Sequence, residues 1–335
     1  MLKHEHYVVK TKWHKIKENV KGILVAIFIA LLIRVFLVEP YKIPTSSMYP
    51  TILEGDMIMA NKFWYGVRVP VANIKLPAFS SPDVGNIILF ETPTYYSPGK
   101  GTELLNFVTF GLFGLDNNEH NPKYFIKRTI GSPGDVISIA NPRKNNFTYQ
   151  IEVNGVKAPL EAINGSPADF PDKNDYTFYI ENLNGIKHFV QYSKEKYTSF
   201  QVELPQDVEG MIYIPKEDDV ITFTKIEADP LQLKLKIENE GKIKEVVLQK
   251  KVVEKFYYKE GKINSILTYD DLSELEAKGM IKKSIHEDFF LAMGDNRDNS
   301  YDSRIWGLVN QSLLLGSPLF RHFPFGRFGS INKLN

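Results

Sequence analysis

The chain contains no cysteine among its 335 residues. This absence excludes thiol catalysis, disulfide cross-links and cysteine-based zinc sites. Neither sign of charge is in excess, because 41 Lys and Arg residues face 40 Asp and Glu residues, for a formal net charge of +1. Since nucleic-acid binding usually needs a basic excess, we expect no nucleic-acid partner. Internal repeats and low-complexity tracts are also absent, and nothing in the sequence predicts a cofactor.

Long apolar runs are scarce, and the longest lies near the N-terminus. Ile23–Val38 comprises sixteen residues with one charge, at Arg34. As a helix with ~1.5 Å rise per residue the run spans about 24 Å, somewhat less than the ~30 Å hydrocarbon core of a bilayer. Gly22 extends the run, and Lys21 and Arg34 can snorkel towards the interfaces. We therefore predict an uncleaved transmembrane anchor over residues 22–38.

Two alternatives to an anchor remain open. A cleaved secretory signal would need a small-x-small site, whereas Glu39 and Pro40 follow the run. A buried core helix is unusual for a run that is apolar on all sides. Two glutamates and six lysines precede the run: Glu5, Glu18, Lys3, Lys10, Lys12, Lys15, Lys17 and Lys21. By the positive-inside tendency, we expect residues 1–21 to be a basic N-terminus in the cytoplasm. The protein would then cross the cell membrane once, and everything after Val38 would be extracytoplasmic.

A second apolar stretch, Leu104–Leu115, is too short to span a bilayer. Gly111 and Gly114 weaken it as a helix. Two interpretations stay open: a loop partly buried on the sheet, or an interfacial segment that dips into lipid.

After the anchor, short strand-like runs separated by turn signals predict a β-rich fold. These runs are Asp56–Phe63, Asn86–Glu91, Tyr124–Ile130, Asp135–Ala140 and, near the C-terminus, Phe289–Met293. The fold class we predict is mostly β: a mixed, largely antiparallel β core domain in two sequence pieces, an N-terminal transmembrane helix and a β-rich insertion. The core domain would comprise residues 39–140 and 286–335, and the insertion residues 141–285.

The predicted insertion has its own composition, rich in Lys, Glu, Asn and Tyr. Alternating residues predict strands at Gln232–Ile237 and Glu245–Tyr258. One helix is predicted at Asp271–Lys278, with Asp270 or Asp271 as its N-cap and Gly279 as its stop signal.

The first segment that could carry a reactive group is Pro44–Thr51, in which two prolines stiffen the chain around Ser47. Ser47 follows Val38 by nine residues, so an extended chain places its hydroxyl within roughly 30 Å of the end of the anchor. A reactive Ser47 would thus act at the membrane surface. The alternative is an ordinary Ser/Thr-rich linker.

The second segment, Tyr124–Asp135, carries Lys127 within a run of apolar and β-branched residues. On a strand, Phe125 and Thr129 share its face and would partly desolvate its amine. Desolvation lowers the pKa of a lysine towards neutrality, and a neutral amine can take a proton from a serine hydroxyl. A solvated lysine on an edge strand is the alternative.

The third segment, Gly294–Gly307, is dense in side chains that can bond to the backbone and to one another. It is typical of a hydrogen-bonded loop that orients a neighbouring site. Its carboxylates also suggest calcium, but the EF-hand pattern is missing and Arg297 and Arg304 supply counter-charge. We therefore predict no metal site.

Together, in this order and after an anchor, the three segments resemble the type I signal peptidases (leader peptidases), a family of Ser/Lys-dyad serine peptidases. The resemblance also includes residues 34–43, Gly55, Asp56, Lys62, Phe63 and residues 85–90, but it does not cover the insertion.

The resemblance implies that Ser47 is the nucleophile and Lys127 the general base. Ser300 would orient the Lys127 amine, and the Thr45 hydroxyl would join the Ser47 N–H in an oxyanion hole. The family often has serine at the position of Thr45, but threonine keeps the hydroxyl. Asp302 and Arg304 would support the loop. Candidates for shallow pockets that accept small side chains are Ile43, Ile58, Leu89 and Ile126.

The implied function is membrane-bound cleavage of N-terminal signal peptides from exported preproteins after a small-x-small motif, through an acyl-enzyme. Partners would be preprotein signal peptides, the lipid bilayer and the secretion translocon. A self-cleaving repressor-type Ser/Lys peptidase is an alternative, although no DNA-binding helical pattern is present. A non-catalytic membrane-tethered binding or assembly protein is another. A Ser-His mechanism is disfavoured because none of the seven histidines lies in the matching segments.

Overall fold

The computed structural model describes residues 12–69, 74–93, 99–109, 124–140, 148–165, 167, 175–194, 210–258 and 265–331. The helices in these residues are α1 Lys12–Phe36, α2 Lys100–Val108, α3 Lys250–Phe256, α4 Tyr269–Lys278 and α5 Ser303–Trp306, with 3-10 turns at Gln311–Leu313 and Phe325–Arg327. The strands are β1 Val38–Lys42, β2 Met57–Asn61, β3 Arg68–Val69, β4 Ile74–Lys75, β5 Ile87–Glu91, β6 Tyr124–Gly131, β7 Val136–Ala140, β8 Gln150–Val153, β9 Val156–Lys157, β10 Leu160–Ile163, β11 Tyr176–Leu183, β12 Ile186–Ser193, β13 Met211–Tyr213, β14 Val220–Ile226, β15 Asp229–Asn239, β16 Lys242–Gln249, β17 Met280–Ser284, β18 Phe289–Met293, β19 Val309–Asn310, β20 Leu314–Phe323 and β21 Gly329–Ser330. The predicted mostly β, largely antiparallel fold is confirmed.

Helix α1 leads almost directly into the sheet. Within the described residues, Ile16–Phe36 is the one helical segment long and apolar enough to cross a membrane. The helix ends at Phe36 and β1 begins at Val38, so the predicted span to Val38 includes the first residue of a strand. Leu37 joins both elements, because its N–H donates to Ile33 at 2.8 Å and its carbonyl accepts from the N–H of Lys62 at 2.9 Å. Residues 1–11 of the predicted basic N-terminus lie outside the described part.

An eight-stranded antiparallel sheet carries Lys127 on β6, and Ser47 lies in the loop that joins its strands β1 and β2. Its order is β1-β2-β20-β5-β6-β18-β19, with β21 paired to β20. Strand β6 lies between β5 and β18, and every residue from Ile126 to Gly131 is buried. A side chain in the middle of β6 is therefore shielded from water by both neighbouring strands and by the layers on the two faces.

Three further sheets are formed mainly by the middle of the chain. Their orders are β13-β7-β8-β9, β10-β11-β12 and β16-β15-β14-β17, and β3 and β4 form a separate two-stranded ribbon. The largest apolar cluster packs these sheets against residues of β18 such as Leu291 and Met293. The predicted boundary at residues 140 and 141 falls between β7 and β8, which pair with each other. The domain boundaries remain a prediction.

Three local predictions need correction. The predicted strand Glu245–Tyr258 stops at Gln249 and continues as α3, whose buried residues Val252, Val253 and Phe256 follow helical spacing. Helix α4 begins earlier than predicted, because Thr268 is its N-cap and Asp271 completes a capping box; Gly279 ends the helix as predicted.

The stretch Leu104–Leu115 is helical in its first part rather than a loop, since α2 spans Lys100–Val108. Residues 110–115, which include both predicted helix-weakening glycines, lie outside the described part.

Candidate active site

Ser47 sits in a tight loop between β1 and β2. The loop is closed at its base by two backbone hydrogen bonds, from Ile43 to Asp56 and from Gly55 to Ile43, each 2.8 Å long. The side chain of Met48 is fully buried in an apolar cluster beneath the sheet. Burial of Met48 fixes the backbone of its neighbour, so the position of the Ser47 hydroxyl is determined by packing as well as by the loop.

The hydroxyl of Ser47 meets the amine of Lys127. The Nζ of Lys127 lies 2.6 Å from the Oγ of Ser47 and 3.0 Å from the carbonyl oxygen of Ile126. Lys127 projects from the central strand β6 and is 2% exposed. Eighty residues separate the two side chains in sequence, and the sheet brings them into direct contact.

Burial lowers the pKa of Lys127 to about 8. Desolvation is the largest cause, because removing water penalises the ammonium form. The carboxylates of Asp302 and Asp295 partly oppose this effect, and the guanidinium of Arg304 adds to it. A shift of this direction makes the neutral amine accessible near physiological pH, which a general base requires.

Two other hydroxyls were predicted to serve the site. The Oγ1 of Thr45 lies 3.4 Å from the Oγ of Ser47. Ser300 is buried, and its hydroxyl makes no well-formed hydrogen bond to any described residue, although its proximity helps to lower the pKa of Asp302. The bonds recorded for the Lys127 amine go to Ser47 and Ile126 instead.

The loop after β18 is held by a buried ion pair between Asp302 and Arg304. The Nε and Nη2 of Arg304 donate to the two carboxylate oxygens at 2.9 and 2.7 Å. The same carboxylate accepts the backbone N–H of Gly294 at 3.0 Å. Although burial alone would raise the pKa of Asp302, the charge of Arg304 keeps it below its usual value. The pair therefore ties the two ends of the loop together.

Gly294 has no room for a side chain. A Cβ at this position would overlap the carbonyl oxygen of Ser47 and the side chain of Ser300. Beside it, the backbone N–H of Asn296 donates to the Ser47 carbonyl at 3.1 Å, and its side-chain amide donates to the Ser46 carbonyl at 3.1 Å. The loop after β18 thus clamps the backbone that carries the serine.

These observations describe a buried serine and lysine in contact, beside a membrane-length helix. The model of the family described as signal peptidase, peptidase S26, matches residues 16–208 and 235–323. The chain belongs to this family. The predicted resemblance to type I signal peptidases and the prediction of a serine peptidase are therefore confirmed, and the chain is a membrane-anchored hydrolase.

Several proteins named signal peptidase I are similar to the chain, over about half to nine tenths of its length. The protein of Buchnera aphidicola subsp. Schizaphis graminum is 30% identical over 296 residues, which are 86% of this chain and 69% of that protein. The Helicobacter pylori protein is 26% identical over 310 residues, 91% of this chain and 81% of that protein. The Pseudomonas aeruginosa protein is 29% identical over 177 residues, 53% of this chain and 50% of that protein.

In this member of the signal peptidase family, Arg128, the residue after Lys127, stabilises the site through an ion pair with Asp295. Arg128 forms a bidentate pair with Asp295, with Nε and Nη2 at 2.8 and 2.7 Å from the two carboxylate oxygens. The Thr51 hydroxyl donates to the same carboxylate. This pair joins β6, the serine loop and the loop after β18. Arg128 and Asp295 both lie in segments that match the family, so the sequence alone could have indicated this pair.

A second group of buried charges joins strands β11 and β12 of the predicted insertion to the loop after β18. Arg297 donates to the carboxylate of Glu181 at 2.5 Å, and the Nε2 of His188 lies 3.1 Å from the same carboxylate. Although burial would raise the pKa of Glu181, Arg297 lowers it to about 2. Burial and the neighbouring Arg128 lower the pKa of His188.

Backbone contacts reinforce this connection. The N–H of Gln191 donates to the Asp295 carbonyl, and the N–H of Arg297 donates to the Gln191 carbonyl, both at 3.0 Å. Strand β12 therefore extends along the loop that clamps Ser47. Sequence analysis missed Glu181, His188 and Gln191, because an alternating strand pattern does not identify which distant loop the strand will meet.

The four predicted pocket residues share one apolar cluster. Ile43, Ile58, Leu89 and Ile126 are all buried, and the cluster also contains Met48. Ile58, Leu89 and Ile126 belong to β2, β5 and β6, and Ile43 lies at the base of the serine loop. The structure thus brings the four residues together in the cluster that buries Met48, the residue after Ser47.

Two of the three acidic residues of the loop after β18 form ion pairs with arginines. Asp295 pairs with Arg128 and Asp302 pairs with Arg304. In the part of the chain that the structure describes, no group of three or more His, Cys, Asp or Glu side chains could hold a metal ion.

Proposed function

We propose that this protein removes N-terminal signal peptides from exported preproteins by cutting after a small-x-small motif, with Ser47 as nucleophile and Lys127 as general base. The observation that carries this proposal is the 2.6 Å separation between the Ser47 hydroxyl and a buried Lys127 amine. Similarity to proteins named signal peptidase I supports the choice of substrate.

In the proposed reaction, the Ser47 Oγ attacks the scissile carbonyl while the Lys127 Nζ takes its proton. The tetrahedral intermediate then collapses: the C–N bond breaks, and the Lys127 ammonium returns the proton to the leaving amine. The product is an ester between Ser47 and the signal peptide. Lys127 next deprotonates a water molecule that attacks the ester, which releases the signal peptide and restores the Ser47 hydroxyl.

The oxyanion of each tetrahedral intermediate would accept hydrogen bonds from the Ser47 N–H and the Thr45 hydroxyl. The 3.4 Å distance between the Thr45 and Ser47 hydroxyls supports this role, because both then border the same reacting carbonyl. Ser300 would accept a hydrogen bond from Lys127 when the substrate displaces the Ser47–Lys127 contact. Asp302 and Arg304 would keep this loop in place.

Substrate selection would depend on the apolar cluster that buries Met48. Ile43, Ile58, Leu89 and Ile126 would line shallow depressions that accept only small residues on either side of the variable position. A larger side chain would require the cluster to open, and densely packed interiors resist such changes.

The short connection between α1 and β1 supports a substrate presented at the membrane. Only Leu37 lies between the helix and the sheet, so in this proposal the catalytic sheet would begin at the bilayer surface. In the proposed topology the N-terminus is cytoplasmic, the sheets are extracytoplasmic, and the secretion translocon delivers the substrate.

The test is cleavage of a purified preprotein in proteoliposomes by the full-length chain. Ser47→Ala and Lys127→Ala should each lower the rate by more than about 10³-fold, because dyad members act as a unit. The matched controls Ser80→Ala and Lys251→Ala alter exposed residues and should leave the rate unchanged. Rapid quenching should trap the signal peptide as an ester on Ser47. Wild-type rates in both dyad variants would refute the proposal.

A further inference from the structure

Helix α2 has apolar residues on its exposed side and a polar residue on its buried side. Its exposed positions are Gly101, Leu104, Leu105 and Val108, which follow the i, i+3, i+4, i+7 spacing of a single helical face. The three large side chains of this face are 45%, 46% and 45% exposed. On the inner side of the same helix, Asn106 is buried. A helix on a water-exposed surface shows the opposite arrangement, with polar residues outside and apolar residues inside.

The position of α2 is determined by its contact with the membrane-spanning helix. The guanidinium of Arg34 donates to the carbonyl of Phe107 and lies 4.7 Å from the centre of the Phe107 ring. Arg34 belongs to the last turn of α1 and precedes its end by two residues, which corresponds to about 3 Å along the helix axis. The second half of α2 is therefore at the depth of the last turn of the span.

A buried charge network holds Arg34 at this depth. Its Nε and Nη2 donate to one oxygen of Glu39 at 2.9 and 2.7 Å. The other oxygen of Glu39 accepts from Lys62 at 3.0 Å and from Tyr41 at 2.9 Å. Arg34 thus joins α1, the catalytic sheet and α2, and it need not extend to water as an isolated arginine in a span would.

We propose that the face of α2 formed by Gly101, Leu104, Leu105 and Val108 lies in the lipid interface as a second membrane contact. The occupant is lipid because α2 contacts the last turn of the membrane-length helix through Arg34, and the apolar residues Phe36 and Leu37 at the end of that helix are also exposed. Amphipathic helices of this kind bury their apolar side in the boundary between headgroups and acyl chains. This contact would fix the tilt of the catalytic sheet relative to the bilayer, which α1 alone cannot do.

The absence of native cysteine makes site-directed spin labelling straightforward. Full-length variants Leu104→Cys, Leu105→Cys and Val108→Cys would be labelled and reconstituted into liposomes of zwitterionic and anionic phospholipid. Collision rates with oxygen, which partitions into lipid, and with a water-soluble nickel chelate report the environment of each label. Leu32→Cys in the span is the lipid control, and Val156→Cys, next to the turn between β8 and β9, is the water control. The native side chains of Leu32 and Val156 are 40% and 72% exposed.

The three α2 labels should favour oxygen over nickel, as Leu32→Cys does. Nickel accessibility equal to that of Val156→Cys would overturn the proposal. Low accessibility to both reagents, or dipolar broadening between labels, would indicate that protein or a second copy covers the face and would also overturn it.

A second measurement follows the consequence for catalysis. The double variant Leu104→Glu, Leu105→Glu should cut a membrane-inserted preprotein several-fold more slowly, while it cuts a short soluble peptide at the wild-type rate. Val156→Glu should change neither rate. Equal rates of the double variant and wild type on both substrates would contradict an orienting contact. The labelling results do not depend on catalysis, so they can fail or succeed independently of the proposed peptidase mechanism.

Discussion

The backbone N–H of Asn296 donates to the carbonyl of Ser47 at 3.1 Å, across a gap of nearly 250 residues. Because this bond is made by the backbone, it holds the serine loop without using the Ser47 hydroxyl. Gly294 makes such a close approach possible, since it presents no side chain to the Ser47 carbonyl. The proposed catalytic geometry thus depends on a glycine as well as on the two reacting groups.

Gly294→Ala should therefore lower the rate of preprotein cleavage by about 10²-fold, because the new methyl group displaces Ser47 from Lys127. The control is Gly326→Ala, where a Cβ meets nothing within 4 Å. Cleavage rates and circular dichroism of the solubilised proteins would separate displacement from unfolding. A well-folded, fully active Gly294→Ala protein would contradict the required close approach.

The pH dependence of cleavage should follow the ionisation of Lys127. Burial lowers the pKa of Lys127 to about 8, and only the neutral amine can take the proton from Ser47. Below that pH, kcat/KM should rise about tenfold per pH unit, and above it the value should level off. A profile that is flat or falling between about pH 6 and 9 would exclude a lysine base.

Lys127→Met should abolish cleavage yet stabilise the fold at neutral pH. The pKa of Lys127 is about 8 in the folded state against its ordinary value of 10.5, so between these two pH values the unfolded chain binds more protons. The free energy of unfolding of the wild type therefore rises with pH across that window, by up to about 3 kcal/mol.

Below pH 8 the wild type bears the full desolvation penalty, and methionine does not. The apparent Tm of Lys127→Met should exceed that of the wild type at pH 7, and the difference should shrink as the pH approaches 10.5. The exposed control Lys251→Met should show no such trend. A variant less stable than the wild type at pH 7 would contradict a costly buried amine.

Thr45 offers a test of the proposed oxyanion hole. Thr45→Val keeps the shape of the side chain but removes the hydroxyl, so kcat should fall about 10²–10³-fold with little change in KM. Thr45→Ser restores the donor and should retain most of the activity. If valine and serine variants cut the preprotein equally fast, the Thr45 hydroxyl does not stabilise the oxyanion.

Glu181 should be important for stability although it lies in the predicted insertion. Glu181→Gln leaves the buried guanidinium of Arg297 without its counter-charge, which should lower the free energy of unfolding by about 3–5 kcal/mol. Glu152→Gln alters a more exposed pair, 3.8 Å from Lys157, and should cost at most about 0.5 kcal/mol. Denaturant unfolding of the solubilised variants would measure both, and similar values would refute a structural role for the Glu181–Arg297 pair.

Local patterns were sufficient to predict much of the sheet. Short strand-like runs bounded by turn signals located β5, β6 and β18 to within a residue or so at each end. The apolar face around Lys127 also indicated a desolvated amine, and the structure buries that amine between β5 and β18. These predictions succeeded because strand periodicity and burial depend mainly on neighbouring residues.

Predictions failed where a short run was compatible with two local structures. In α3, the residues Val252, Val253 and Phe256 are apolar and β-branched or aromatic, as in a strand, but their spacing also forms one helical face. In α2, the length of the apolar run hid a polar inner position at Asn106. Such ambiguities are resolved by packing partners that local propensity does not include.

The order of motifs along the chain, the membrane-length helix and the lack of cysteine are properties of the sequence, and they sufficed to identify the family and to nominate Ser47 and Lys127. The distances between these side chains and the identity of their partners are determined by the tertiary structure. The contact between the two side chains, the pairing of Arg128 with Asp295, the Glu181–Arg297 pair and the placement of α2 beside Arg34 all join residues far apart in the chain. Each depends on how strands are registered and layers are packed, and buried charges can be matched only once that packing has brought them together.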